Sequence, residues 1–306
     1  MLKESKTFTI VSPFYGYKLR EPVQEFKLGN YTICTKKHIM EEYHDADEIF
    51  ESKIRTIEGM VAEIDNYYIC NTKIEAESID EAKSKFMEGI ENLINVLLYL
   101  IPKRDPENGK IKIALEHTRY SFIVKEDSKT TISHSKEDLI NPLYIIDDKL
   151  FSFPGNDIRL FDYLATKPTT HIEKRIHNAV SWIGQAAKNL NLTEGFLELS
   201  IAFETLLVFQ DGFISKSITA QLAEDTAFLI SDAVEERKAI YKRIKDLYQK
   251  RSSIVHSTKV DIQLKDYYDL LEYLKLIIEK YFTLLDEEKI KNLNEIREYL
   301  DDAKFK

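Results

Sequence analysis

Cysteine is nearly absent from this chain of 306 residues, which has only Cys34 and Cys70. Two distant cysteines exclude a disulfide framework and a cysteine-based zinc site, and they are typical of reduced, buried thiols in a reducing compartment. Glycine, with nine residues, and proline, with seven, are also scarce. Long disordered or low-complexity stretches are therefore not expected.

Long hydrophobic runs are missing as well. The longest mostly apolar run, Leu93 to Ile101, is about half of the ~20 residues that a membrane-spanning helix needs. The segment from Met1 to Thr9 lacks the apolar core of a secretory signal. We therefore expect a cytoplasmic protein without a membrane partner.

The familiar catalytic motifs are absent too: no phosphate-binding loop, glycine-rich dinucleotide turn, HExxH helix, GxSxG elbow or CxxC pair occurs in the sequence. No cofactor and no metal are expected. The acidic run from Glu41 to Glu48, around His44, has the residue types to bind a cation. A solvated charged face explains this run better, so a metal-dependent hydrolase is the weakest functional hypothesis.

Aromatic residues are plentiful, and 17 Tyr and 16 Phe supply enough apolar surface for two cores. Strand-like segments with one helix precede Pro154-Gly155-Asn156, and almost everything after these residues has helical periodicity. The fold class expected is an α+β N-terminal domain, residues 1–155, followed by an all-α helical bundle, residues 156–306.

In the N-terminal domain, Ser78 and Glu81 have the spacing of a capping box that opens a helix ending before Pro102. The predicted strands are 26–34, interrupted at Gly29-Asn30, and 64–76, 110–114, 120–124 and 144–153. The predicted helices of the bundle are 157–166, 169–189, 192 to Asp211-Gly212, 217–230, 232–253, 263–285 and 287–300.

The net charge of −9 hides a basic segment. Residues 234–260 contain eight basic and three acidic side chains, a local charge of +5 that leaves −14 for the rest of the chain. An acidic protein with one basic segment can hold a phosphate locally without broad nonspecific binding to nucleic acid.

Arg251 and His256 stand at the end of this basic segment and provide the chemistry that RNA cleavage requires. An arginine holds two phosphate oxygens with its planar fork. A histidine titrates near neutrality and transfers protons. The ribose 2′-hydroxyl is the nucleophile, so no metal is required. An isolated Arg-x4-His pattern also occurs by chance. In that case the arginine pairs with a nearby acidic residue, and the helix dipole favours the histidine at the helix end.

The spacing of these two residues requires a change in the helix between them. Positions five apart on an ideal helix are turned by about 140°. The helix must therefore end or loosen between Arg251 and His256 for their side chains to converge, and Ser252, Ser253 and the β-branched residues after them favour this. A symmetric dimer would supply a second histidine, so that one acts as base and one as acid.

Two stretches, Leu197-Glu-Leu-Ser-Ile-Ala-Phe-Glu-Thr-Leu-Leu207 and 236–256 with its ending Tyr248-Gln-Lys-Arg-Ser-Ser-Ile-Val-His256, resemble the HEPN superfamily and specifically its ApeA-like branch. The segment with Ser78-Ile-Asp-Glu-Ala82 resembles, more weakly, the domain that often precedes it. The sequence departs from many relatives near Gln221, where they carry an arginine.

The resemblance implies a helical domain that forms a homodimer with two Arg-x4-6-His motifs facing each other. It implies a metal-independent endoribonuclease that leaves a 2′,3′-cyclic phosphate, often in antiviral defence or toxin systems. Arg251 would bind phosphate and His256 would be the acid–base residue. Supporting or substrate-binding roles would fall to Ser252, Tyr248, Lys250 and Glu204, with Glu204 orienting the arginine.

The sequence leads to two functional hypotheses. The first is an RNA-cleaving effector whose N-terminal domain senses a trigger or restrains the nuclease, with a regulatory protein as a further partner. The second is a non-catalytic HEPN module that binds RNA, a nucleotide or a protein through the same groove.

Overall fold

The computed structural model describes residues 5–14, 17–20, 22–35, 38, 68–100, 120–125, 130–134, 144–146, 170–189, 191–208, 217–256 and 260–305. These residues form two compact units. The predicted domain boundary after Gly155 lies outside the described residues, as do the acidic run 41–48, the predicted strand 110–114 and the predicted helix 157–166.

The first unit is built on a β-sheet. Its described strands are β1 (Lys6–Phe14), β2 (Tyr17–Leu19), β3 (Glu25–Leu28), β4 (Tyr31–Thr35), β5 (Tyr68–Ala76), β6 (Tyr120–Lys125), β7 (Thr130–His134) and β8 (Tyr144–Ile146). Six of them form an antiparallel sheet in the order β3-β4-β5-β1-β6-β7, while β2 and β8 pair in parallel. A β-rich N-terminal part is thus confirmed.

Strand β1 lies in the middle of the large sheet, between β5 and β6. Its side chains alternate as a half-buried strand requires, with Phe8 and Ile10 buried and Thr7 and Thr9 more exposed. Strands β1, β2 and β7 were not predicted from the sequence. The alternation of polar and apolar residues over 7–10 is the signal that would have identified β1.

The predicted break at Gly29-Asn30 is a turn between β3 and β4. Gly29 has a φ of 58°, a left-handed conformation that glycine adopts without a steric penalty. The turn brings β3 and β4 into antiparallel register, with Leu28 opposite Tyr31 and Glu25 opposite Cys34. Cys34 is buried.

Helix α1 (Ile79–Leu100) begins where the capping pattern predicts. The Glu81 backbone N–H donates to the Ser78 hydroxyl at 3.2 Å, and the Glu81 carboxylate accepts from the Glu77 backbone N–H at 2.8 Å. The predicted apolar stripe of this helix, from Ala82 to Leu98, is buried. The helix contributes its residues up to Ile94 to the first unit and Asn95–Leu100 to the second.

The second unit contains the remaining described helices: α2 (His171–Lys188), α3 (Leu192–Leu207), α4 (Ile218–Ile230), α5 (Val234–Val255), α6 (Leu264–Asp286) and α7 (Leu293–Lys304). Side-chain caps come from Thr170, Asn191, Ser217 and Asn292, whereas α5 begins after Ala233, which provides no side-chain cap. The predicted apolar faces of α2, α3, α5 and α6 are all buried. Strands followed by helices are therefore confirmed as the coarse architecture.

Helices α3 and α7 differ most from their predictions, and α7 also ends four residues later than predicted, at Lys304. Helix α3 ends at Leu207, where the Val208 N–H closes the last turn onto Glu204, and not at Asp211-Gly212, so the glycine was a misleading stop signal. Helix α7 starts at Leu293 rather than at residue 287, because Asn292 provides the cap and Glu288 adopts a left-handed φ of 53°.

A close helix crossing holds the end of α1 against α2 within the second unit. A Cβ atom added to Gly184 would lie 2.6 Å from the Asn95 Cα atom, which no real contact permits. Gly184 is therefore needed for the approach of two backbones. No helix in the described part of the chain is both long enough and apolar enough to cross a bilayer.

Candidate active site

The basic helix α5 ends one residue before His256. The His256 backbone N–H donates to the Ser252 carbonyl at 3.1 Å, so the chain keeps a helical turn up to this residue. The helix therefore ends between Arg251 and His256, but it does not loosen at Ser252-Ser253 as we expected. Because the turn persists, the two Cα positions stay about 140° apart around the helix axis.

Tyr248 anchors this end of α5 to α3. Its ring is buried and lies 5.7 Å from the Phe203 ring, and its hydroxyl donates to the Ser200 carbonyl at 3.1 Å. Burial raises the pKa of Tyr248 well above its ordinary value, and the Glu204 carboxylate raises it further. The phenol therefore stays a hydrogen-bond donor across the physiological range.

Arg251 and Glu204 make a second contact between the same helices. The Arg251 Nη2 atom lies 3.1 Å from the Glu204 Oε1 atom, with the two side chains 32% and 28% exposed. Glu204 follows Ser200 by one turn of α3, and Arg251 follows Tyr248 by about one turn of α5. The Tyr248 anchor thus sets the register in which the guanidinium meets the carboxylate.

His256 and Ser252 are both exposed. In the part of the chain that the structure describes, the imidazole of His256 makes no hydrogen bond and no ion pair. The structure therefore brings together Arg251, Glu204 and Tyr248, and it leaves His256 at the surface of the helix end. Proton transfer from His256 to a substrate is sterically open.

Lys250 lies on another side of α5, where it contacts α6. Its Nζ atom is 2.8 Å from the Oδ2 atom of the buried carboxylate Asp266. Arg243 joins the same cluster, with its Nη2 atom 2.8 Å from Asp266 and its Nε atom 2.7 Å from Asp269. The substrate-binding or supporting role predicted for Lys250 stays a prediction, and in the structure this lysine pairs with Asp266.

Asp266 is the centre of this cluster and remains ionised. Burial alone would raise its pKa, but hydrogen bonds from Lys250, from the Gln263 backbone N–H and from Arg243 together lower the pKa below its ordinary range. The cluster thereby fixes α5 against α6 over the two turns that precede Arg251.

A groove of about 570 Å³ runs along the exposed face of α5 beside the candidate site. The residues that line it are Thr219 of α4 and Tyr241, Lys242, Lys245, Asp246, Tyr248, Gln249 and Ser252 of α5. Lys242 and Lys245 belong to the basic segment that the sequence predicts to hold a phosphate, but neither they nor Tyr241 and Gln249 were predicted as site residues. Their recurrence at three- and four-residue spacing on the polar face of the basic helix was the available signal.

Among the described residues, no three His, Cys, Asp or Glu side chains come together in a way that could hold a metal ion. Comparison of the chain with protein-family models, curated proteins and solved structures gives no match. The geometry at the end of α5 is therefore the basis for the functional argument.

Proposed function

We propose that the helical unit is a HEPN-type, metal-independent endoribonuclease. The observation that supports this most is the Arg251 guanidinium, which Glu204 holds at the last turn of a basic helix that ends in the exposed His256. A positioned cation and an accessible imidazole are the two groups that phosphodiester transesterification needs from the protein.

The reaction proceeds by attack of the ribose 2′-oxygen on the adjacent phosphorus. An imidazole removes the 2′-hydroxyl proton, the new P–O2′ bond forms, and the P–O5′ bond breaks. A protonated imidazole gives its proton to the departing 5′-oxygen, which leaves a 2′,3′-cyclic phosphate. Arg251 binds the phosphate oxygens and stabilises the charge of the phosphorane.

A homodimer is part of this proposal. One chain offers a single His256, and its position is turned about 140° from Arg251 around α5. A twofold axis beside the helix end brings His256 of one copy towards Arg251 of the second copy, and it supplies both a base and an acid. The two motifs then form one composite site.

The wider setting is proposed as well. The enzyme acts in the cytoplasm, in antiviral defence or as a toxin, and its β-rich N-terminal part senses a trigger or restrains the nuclease with or without a regulatory protein. The net charge of −9 favours binding of RNA at the basic helix, because it disfavours nonspecific binding of nucleic acid elsewhere on the protein.

Incubation of purified protein with single-stranded and structured RNAs tests the proposal. We expect wild-type protein to cut RNA in the presence of EDTA and to leave 2′,3′-cyclic phosphate ends. Arg251→Ala and His256→Ala should each lower the rate at least about a hundredfold, the range that a general acid–base residue contributes. Lys289→Ala, in an exposed segment after α6, should cleave like the wild type.

Cleavage that persists equally in the Arg251→Ala and His256→Ala variants would remove the proposal. Loss of activity with EDTA would point to metal-dependent chemistry. RNA binding without cleavage, unchanged by His256→Ala, would assign the chain to the non-catalytic binding modules instead.

A further inference from the structure

The groove on α5 is aligned with His256. Tyr241, Lys245 and Ser252 recur at helical spacing and share one face of the helix. His256 follows Ser252 by four residues and keeps the helical hydrogen bond to it, so it continues the same line. The groove thus ends beside the residue that we propose to transfer protons.

The two lysines of this groove have no acidic partner among the residues that the structure describes. Neither Lys242 nor Lys245 forms an ion pair with another residue in the described ranges. The carboxylate among the lining residues, Asp246, is engaged by Arg243, with 2.6 Å between its Oδ2 atom and the Arg243 Nη1 atom. Two ammonium groups on one helix face therefore attract an anion in a protein whose net charge is −9.

Two other features of the groove suit a nucleic acid. The Lys245 ammonium lies over the Tyr241 ring, 5.4 Å from its centre, so a cation and an aromatic surface are adjacent in the groove. Thr219 lies in the first turn of α4, where the helix dipole also favours negative charge. Basic side chains with an adjacent aromatic ring are the pattern that binds phosphates and unstacked bases of single strands.

We infer that this groove binds a single-stranded RNA segment next to the bond that is cleaved, with phosphates at Lys242 and Lys245 and a base at Tyr241. The identification of the bound strand as RNA rests on the proposed function. It adds a substrate subsite, about 16 Å long between Lys245 and His256, to the two catalytic residues.

Binding of a short single-stranded RNA with 2′-O-methyl groups at every position tests the groove apart from catalysis, because this strand cannot be cleaved. We expect the Lys242→Gln/Lys245→Gln variant to bind at least about tenfold more weakly, and the slope of log Kd against log salt to fall by about 1.4. The matched control is Lys289→Gln/Lys291→Gln, which makes the same charge change outside the groove and should bind like the wild type.

Cleavage by the same variants provides the second readout. The groove variant should lose activity on long RNA but cleave a dinucleotide at the wild-type rate, since a dinucleotide does not reach the lysines. Equal binding and equal salt slopes for the groove and control variants would overturn the subsite, and so would a failure of the wild type to bind the methylated strand. If the wild type binds this strand through the groove but cleaves no RNA, the subsite stands and the nuclease proposal fails.

Discussion

Tyr248 joins two helices through one buried phenol, and its ring and its hydroxyl can be tested separately. Tyr248→Phe keeps the ring against Phe203 but removes the hydrogen bond to the Ser200 carbonyl. We expect it to lower the free energy of unfolding by about 1 kcal/mol. Tyr248→Ala removes the ring as well and should cost about 3–5 kcal/mol. Urea denaturation of the two variants measures the difference, and equal losses would show that the hydroxyl is dominant.

Lys275 is a half-buried cation on α6, and its Nζ atom lies 4.9 Å from the centre of the Tyr99 ring and 3.5 Å from the Leu100 carbonyl oxygen. Burial lowers the pKa of Lys275 to about 8. The folded state therefore binds this proton less tightly than the unfolded state does, so the charged form is a cost to folding at neutral pH.

Lys275→Met should consequently stabilise the protein by up to about 3 kcal/mol at neutral pH, because it removes the half-buried charge. The advantage over the wild type should shrink as the pH rises from about 8, the lowered pKa, towards the ordinary lysine pKa of 10.5. Chemical denaturation at several pH values checks this. A variant less stable than the wild type at neutral pH would mean that the contacts to Tyr99 and Leu100 outweigh the desolvation of the charge.

At the scale of elements, the Asp266 cluster fixes α5 to α6 through Arg243 and Lys250. Asp266→Asn leaves both cations without their buried carboxylate, and we expect it to cost about 3 kcal/mol at neutral pH. Asp246→Asn is the matched control, since Asp246 pairs with the same arginine but is exposed, and it should cost less than about 1 kcal/mol.

The stability cost of Asp266→Asn should decrease as the pH is lowered. The folded-state pKa of Asp266 is lower than its unfolded value, so its contribution to stability is present above the unfolded pKa. It is lost as the pH falls through the lowered folded-state value. Unfolding measurements below about pH 4 should therefore show the wild type and Asp266→Asn converging. A difference in the free energy of unfolding that persists at low pH would mean that the asparagine side chain packs poorly at this position.

The elements themselves were largely predictable, and the exceptions have physical reasons. Apolar residues at three- and four-residue spacing specified the buried faces of α2, α3, α5 and α6, because amphipathic periodicity is a local property. The end of α3 was not predictable from Asp211-Gly212, since the backbone already leaves the helical conformation at Val208. Strand β1 was missed although its position between β5 and β6 makes it central to the sheet.

In the proposed dimer of the whole molecule, the end of α5 next to His256 lies where the two copies meet. Val255 is 53% exposed next to His256, and Val234 is 60% exposed at the opposite end of the same helix. Val255→Glu should convert the dimer to a monomer and lower RNA cleavage, because a charge would be buried where the two helix ends meet. Val234→Glu should leave both properties unchanged.

Light scattering at micromolar concentration measures this, alongside RNA cleavage by the same samples. A wild-type protein that is only monomeric would contradict the dimer and the composite site. A Val255→Glu variant that stays dimeric and active would place the interface elsewhere on the helical unit.

The sequence by itself determined the order of a β-rich part and a helical part, the amphipathic faces of the helices, and the basic segment that ends in Arg251 and His256. These properties depend on the identity and spacing of neighbouring residues. The family resemblance led us to expect Glu204 beside Arg251, whereas the contact of Lys250 with Asp266 and the position of Thr219 beside the groove came from the packing of the helices. Such contacts join residues on different helices, and helix packing, rather than local periodicity, sets which of them meet.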